Sequence, residues 1–375
     1  MPTTEVKESP ECMRMSLAAA MTLGFKQGLF YRNAKLYCIN LLLTYDRGCR
    51  ARCAYCGLSQ KRPGTYDDKS FIRVTWPTYS LEEIIARISA RQDRVKRICI
   101  SMITNKRAVK DTKTVCSRLR SHSDVPISLL ISPTILKQGD LADFKAAGAD
   151  KIGVAIDLAT PELFDKFRGT GVGGPHKWDL YWQCLSDAIR IFGKGNAGPH
   201  LMVGMGETEK EMCAVIQRAK DMGGNTHLFS FFPEESSALA LEGHLPPPMD
   251  QYRRIQLARY IIDSQLQHAV NFTFTQGGQI ASFGLPPEKI DAVIDSGCPF
   301  ETSGCTGNNG QVACNRPFGN SRPGPNIRNF PFKPDRTDIR RIRNQIKLKD
   351  KTEITAHSIK QQNRNTKNSV PIIGI

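Results

Sequence analysis

Cys49, Cys53 and Cys56 fall within eight positions, in "CRARCAYC", at C-x3-C-x2-C spacing and with no fourth cysteine close by. A structural zinc site takes four ligands from the protein. A four-iron cluster likewise takes four thiolates, one for each iron. A local set of three leaves one iron open to a ligand that is not protein, and the tight spacing suits one loop wrapped round three corners of a cube. Arg47, Arg50 and Arg52 flank the cysteines, which suits an anionic cluster. Tyr55, beside the third cysteine, offers a ring face for a planar base.

A second group, Cys298, Cys305 and Cys314, lies far along the chain in a stretch dense in Gly, Pro and Asn. Helical periodicity there is confined to "PEKIDAVIDSG". Such a segment buries little and needs cross-linking, so its cysteines read as ligands of a zinc or iron–sulfur centre. Ser303, Asn315, Arg316, Cys12 or substrate is open as the remaining ligand. Cys12, Cys38, Cys99, Cys116, Cys184 and Cys213 are scattered, and most sit in apolar or helical patterns where cysteine is a small core hydrophobe.

The elements that must position these thiols alternate along residues 35–275. Apolar runs "LYCINLLLTY", "RICISMIT", "PISLLIS", "KIGVAID", "HLMVGM" and "HLFSFF" read as strands buried on both faces, with "FTFT" an added candidate. Amphipathic stretches between them read as helices, from "SLEEIIARISARQDR" to "QYRRIQLARYIIDSQLQ". Ser80-x-x-Glu83 reads as a capping box. Tandem βα units imply parallel strands, as a doubly wound sheet or a full or partial barrel, with ligands at the strands' carboxyl ends. The three-cysteine loop leaves the first strand at that end. Residues 1–34 carry one expected helix, "SLAAAMTLGFKQGLFYRNA"; residues 276–332 form the loop-rich module.

The net charge of +16 draws partly on the tail "KPDRTDIRRIRNQIKLKDKTEITAHSIKQQNRNTKNS". This tail, residues 333–375, is polar and poor in aromatics, and reads as solvated and partly disordered. An acidic protein partner suits that charge better than nucleic acid, for which no binding motif is present. The rival non-enzymatic reading is a basic, zinc-binding nucleic-acid protein with two knuckles. No apolar run reaches the ~18–20 residues of a membrane span. Twelve cysteines in a chain of 375 residues, without the basic-then-apolar order of a secretory leader, lead us to expect a reducing, cytoplasmic setting.

The cysteine spacing, the aromatic before the third cysteine and the loop after a first strand resemble the radical S-adenosylmethionine (radical SAM) superfamily. The resemblance implies a partial (β/α)6 TIM-like barrel with a loop-rich carboxyl-terminal cysteine module. It implies a [4Fe–4S] cluster on Cys49, Cys53 and Cys56, S-adenosylmethionine on its open iron, and reductive release of a 5′-deoxyadenosyl radical. By the same resemblance, Gly204, Gly206 and Glu207 of "GMGETEKE" border the adenosine. Asp157 contacts ribose or substrate, Ser101 and Thr104 stand by the methionyl amine, and Arg168 meets the methionyl carboxylate. Plain turn and helix-capping roles compete at Gly204–Glu207 and Asp157.

"SGCPFETSGCTG…ACNRPFGNSRPGPNIRNFPF" is similar to the carboxyl-terminal module of the two-component, archaeal-type lipoyl synthases. That likeness implies sulfur insertion into an octanoyl chain on an acidic lipoyl-carrier protein. A paralogous radical SAM component would serve the other carbon, and a ferredoxin or flavodoxin would donate electrons. Cys298, Cys305 and Cys314 would hold an auxiliary iron–sulfur cluster as sulfur source. Biotin-type insertion is the alternative, for which Cys99 is the one strand cysteine that fits. Another is a radical rearrangement with a structural auxiliary cluster.

Overall fold

The computed structural model describes residues 7–70, 73–315 and 324–346. The chain opens with β1 (Cys12–Met15), α1 (Leu17–Thr22), β2 (Cys38–Leu43), β3 (Thr78–Ser80), α2 (Leu81–Ser89) and β4 (Arg97–Ser101). It continues through α3 (Ala108–Arg120), β5 (Ile127–Ile131), α4 (Asp140–Ala146), β6 (Ala149–Asp157), α5 (Pro161–Arg168) and α6 (Trp178–Phe192). Then come β7 (Ala197–Val203), α7 (Glu209–Asp221), β8 (His227–Ser230), α8 (Ala238–Leu241) and α9 (Met249–Asp263). The remaining elements are β9 (Thr273–Phe274), β10 (Ile280–Ser282), α10 (Pro287–Ser296) and α11 (Arg336–Gln345).

One sheet of eight strands runs β3-β1-β2-β4-β5-β6-β7-β8. From β2 to β8 every neighbouring pair is parallel. Every residue of β2, β4 and β5 is buried, as continuous apolar runs in a covered parallel sheet require. With helices on its connections, this is the partial (β/α)6 TIM-like barrel that the resemblance implies, one of the forms the alternation of runs left open.

Two short strands extend it. β1 pairs antiparallel with β2, Met13 opposite Leu43, and with β3, Cys12 opposite Ser80. The long helix expected in residues 1–34 is instead β1 and the six-residue α1, which Ser16 caps through Ala19 N.

Polar side chains fix the helix starts. Ser80 Oγ accepts from Glu83 N at 3.2 Å, but only half of the expected capping box forms, because the Glu83 carboxylate pairs with Arg87 at 2.9 Å. The complete box is at α7, where Thr208 and Glu211 bond reciprocally. "FTFT" supplies β9, which pairs antiparallel with β10 in a separate two-stranded sheet.

Helix α9 clamps the module to the barrel. Its buried Arg253 donates to the carbonyls of Ile327 and Arg328 and to Gln345 Oε1. Its neighbour Arg254 forms a buried pair with Glu209 of α7 at 2.7 Å, and Glu209 also accepts from Ile280 N. Breaking such a pair strands a charge, so Arg254→Met should lower unfolding free energy by ~3–5 kcal/mol in chemical denaturation. A loss under ~1 kcal/mol would mean that solvent already reaches the pair.

The stretch read as tail begins with α11, whose Ile342 is buried and whose Arg343 pairs with Asp291 and Asp295 of α10. Residues 347–375 of that tail lie outside the described residues. No helix among the described residues is long and apolar enough to cross a membrane.

Candidate active site

The loop after β2 carries Cys49, Cys53 and Cys56 to the carboxyl-terminal side of the strands. Backbone bonds fix it independently of the thiols: Arg50 N to Thr104 O, Ala54 N to Phe167 O and Gln60 N to Ala51 O, each 2.8 Å. Gly57 sits so close to the neighbouring chain that a Cβ there would lie 2.2 Å from Ser70 O. The loop is thus held from the strand ends and from α5.

All three cysteines line one cavity, with Tyr55, Thr104, Ser132, Asp157 and Arg168. Met102, Leu130, Met202, Phe229 and Phe232 form apolar wall, and His176, His200, Arg73 and Glu234 complete the polar side. Burial pushes Cys53 up to about 11, opposed by the Arg168 charge. Burial, with the other two thiols, pushes Cys56 well above an ordinary thiol. Three thiols so placed need a compensating cation before they ionise, which is what bound iron supplies. Among the described residues no three His, Cys, Asp or Glu side chains converge on a single-ion position. Three thiols on one loop are a donor set that fits an iron–sulfur cluster with one iron left open.

A polar relay borders the cysteines. Tyr55 Oη donates to Asp157 Oδ2 at 2.7 Å, and Arg168 Nη1 donates to the same oxygen at 2.6 Å. Arg168 Nη2 donates to Tyr181 Oη at 3.2 Å, which lies 2.8 Å from His176 Nδ1. Burial and the Arg168 charge push His176 down to about 2, so the ring stays neutral; Thr134 Oγ1 also lies 2.6 Å from its Nδ1. Asp157 ends β6 with φ +66°, a left-handed conformation that Asp tolerates better than most residues.

The site residues expected from sequence divide into two sets. Cys49, Cys53, Cys56, Tyr55, Thr104, Asp157 and Arg168 come together round the cavity. Arg168 reaches it already engaged by Asp157 and by the carbonyls of Ala155 and Ile156. Ser101 is fully buried outside the cavity lining, and its Oγ has no hydrogen-bond partner. Gly204, Gly206 and Glu207 also lie outside the lining. The Glu207 carboxylate instead accepts from Gly204 N at 2.7 Å and Met205 N at 2.8 Å, tying its own turn. Gly204 has φ +101°, and a Cβ there would meet Pro247 at 2.5 Å.

Sequence reasoning missed His176, His200, Arg73, Phe232 and Glu234. Glu234 accepts from Arg73 N at 2.7 Å and Ser70 Oγ at 3.0 Å, and burial raises its carboxyl. The only signal for His200 and Phe229 is their alternate position on strands β7 and β8.

In the module, Cys305 and Cys314 lie against Cys38 of β2 and Cys99 of β4. Cys298 is exposed and stands outside that group, its Sγ 3.7 Å from Ser296 O. Ser303 and Asn315 are engaged with backbone: Ser303 Oγ accepts from Leu228 N, and the Asn315 amide donates to the carbonyls of Lys35 and Pro331. Cys12 belongs to β1, and Arg316 lies outside the described residues.

Residues 44–219 match the family model of the Radical SAM superfamily. No curated protein matches the chain. Among solved structures, methylornithine synthase (PylB) aligns over 66% of this chain and 66% of that one, at 13% identity and TM-score 0.47. HydG, a maturase of the [FeFe]-hydrogenase, aligns over 95% and 88%, at 10% identity and TM-score 0.48. The radical S-adenosylmethionine methyltransferase TsrM from Kitasatospora setae aligns over 70% and 52%, at 14% identity and TM-score 0.38. The three-cysteine loop at the carboxyl end of β2 opens the matched span, and residues 44–219 carry a radical SAM superfamily domain.

Proposed function

We propose that this enzyme inserts sulfur into an octanoyl chain carried on an acidic lipoyl-carrier protein, as one component of a two-component lipoyl synthase. The observation that carries the reading is one cavity lined by three cysteines with, behind its His200 wall, a second group of cysteines. His200 lines the cavity and stacks on His227 at 5.0 Å, and His227 Nε2 lies 3.9 Å from Cys305 Sγ. Radical source and sulfur source would then face one substrate from two sides.

A [4Fe–4S] cluster with S-adenosylmethionine supplies the 5′-deoxyadenosyl radical that removes hydrogen from unactivated carbon. Cys49, Cys53 and Cys56 would hold that cluster. The chain's own residues do the rest. Met102, Leu130, Met202 and Phe229 offer the apolar surface that an aliphatic chain requires. Tyr55, Asp157 and Arg168 form a preset polar edge for a nucleoside or amino-acid group, with Arg168 locked by four acceptors. The auxiliary cluster would supply sulfur. The basic chain surface would draw the acidic carrier, a paralogue would serve the second carbon, and a ferredoxin or flavodoxin would supply the electron.

The test is anaerobic. Reduced protein, S-adenosylmethionine, an octanoyl-lysyl carrier peptide and the paralogue should yield 5′-deoxyadenosine and mass gains in steps of one sulfur. Intact clusters with neither product would overturn the reading. 5′-Deoxyadenosine without a mass gain would leave a radical enzyme with another substrate.

A further inference from the structure

Four cysteines from distant parts of the chain meet on the barrel. Cys38 opens β2 and Cys99 is central in β4; both are buried with Cys314, and Cys305 packs against them. The strand register places Cys38 opposite Arg97 and Asn40 opposite Cys99, which brings the two strand thiols to adjoining positions. Backbone contacts fix the module's side of the group. Cys314 N donates to Cys305 O at 3.1 Å, and Arg97 Nε donates to Thr306 O at 2.7 Å.

The polar groups around these thiols are turned toward sulfur. Asn40 Nδ2 lies 3.7 Å from both Cys38 Sγ and Cys314 Sγ. His227 Nδ1 donates to the Ser303 carbonyl, 2.8 Å away, and its Nε2 lies 3.9 Å from Cys305 Sγ. Arg97, 1% exposed and paired with Asp150 at 2.6 Å, is the adjacent cation. Burial pushes Cys305 up to about 11 and Cys38 well above an ordinary thiol, and the Arg97 charge opposes both.

Cysteines packed only as small hydrophobes need no amide donor shared between two of them. The Asn40 amide, with the Arg97 charge nearby, suits sulfur that carries negative charge, as in a metal thiolate with N–H···S support.

We propose that Cys38, Cys99, Cys305 and Cys314 ligate a second iron–sulfur cluster, on the amino-terminal side of the barrel from the first, with Cys298 outside its ligand set. The role of that cluster rests on the proposed function; its existence and ligands are decided by iron and sulfide analysis alone, whatever the octanoyl assay returns.

The test uses the full chain purified without oxygen. The parent should hold about eight irons with matching sulfide, and a variant with Cys49, Cys53 and Cys56 all changed to alanine about four. In that background Cys298→Ser should leave iron, sulfide and the reduced-state EPR spectrum unchanged. Cys38→Ser and Cys99→Ser should each lose the remaining iron or shift that spectrum, with the circular dichroism of the parent retained.

Loss of iron in Cys298→Ser would overturn the ligand set, as would unaltered iron and EPR in both strand variants. Zinc in place of iron and sulfide would overturn the cluster. If a strand variant does not fold, Asn40→Leu decides. It should lower the midpoint potential of the second cluster alone, by removing N–H···S bonds. An unchanged potential there would count against the site.

Discussion

Cys53→Ala should take S-adenosylmethionine cleavage to background, a fall of at least about a thousandfold, or ~4 kcal/mol of barrier. The loss should be chemical rather than structural. Ala54 N still bonds Phe167 O, Leu239 N still bonds Ala54 O, and Arg50 N still bonds Thr104 O, so the loop keeps its course without the thiol. The measurement is 5′-deoxyadenosine released by reduced protein, normalised to folded chain, with iron determined in parallel. Cys116→Ala and Cys184→Ala are the controls. Burial pushes those two thiols up to about 12, yet both sit on helices away from the cavity and should keep full cleavage per folded chain. Cleavage above about a tenth of the parent rate in Cys53→Ala would show that the ligand assignment is mistaken.

Arg168→Met should cost ~3–5 kcal/mol of unfolding free energy, the range for removing one partner of a buried pair. Its guanidinium serves Asp157, Tyr181 and the carbonyls of Ala155 and Ile156, and methionine serves none of them. Asp157→Asn combined with Arg168→Met should recover part of the loss, because the stranded carboxylate is then neutral. A second readout separates this residue from an ordinary structural arginine. The Arg168 charge opposes the burial that raises Cys53 and Cys49. Thiols must ionise to take up iron. Removing the cation raises their pKa further, so the variant's iron-loading curve should move to higher pH than the parent's. Reconstitution followed by iron analysis across pH 7 to 9 measures it. An unmoved curve would mean that the cation stabilises the fold without acting on the thiols.

What could be read from the sequence follows from how local each signal is. Cys49, Cys53 and Cys56 share one loop, so their spacing alone states a three-point site. The parallel strands were legible because β2, β4 and β5 are uninterrupted apolar runs. β1 and β3 were not, since four and three residues are too few to establish a period. A helix in the supposed tail was hidden by its charge. α11 buries only Ile342 and Asp338 within the helix and holds its place through ion pairs.

The second thiol group was hidden more deeply. Cys38 stands alone in an apolar strand, where a single cysteine reads as a small hydrophobe, and Cys99 is singled out only for the biotin-type alternative. Only the pairing of Asn40 with Cys99 and of Cys38 with Arg97, followed by the return of the module, brings them to Cys305 and Cys314. "GMGET" carries both a resemblance to a cofactor motif and a competing turn role, and the Glu207 carboxylate bonds the turn's own amides.

The separation along the chain between the two halves of that thiol group has a consequence for biosynthesis. Asn40 and Cys314, which touch in the folded protein, are 274 residues apart. At about 5–20 residues per second, the ribosome needs on the order of ten to sixty seconds to deliver the last thiol after the first has emerged. The inner wall of the barrel is therefore made well before its partner, and iron delivered earlier would find half a binding place. Under the proposed ligand set, all four thiols can hold metal only once Cys305 and Cys314 have been made and docked against the strands.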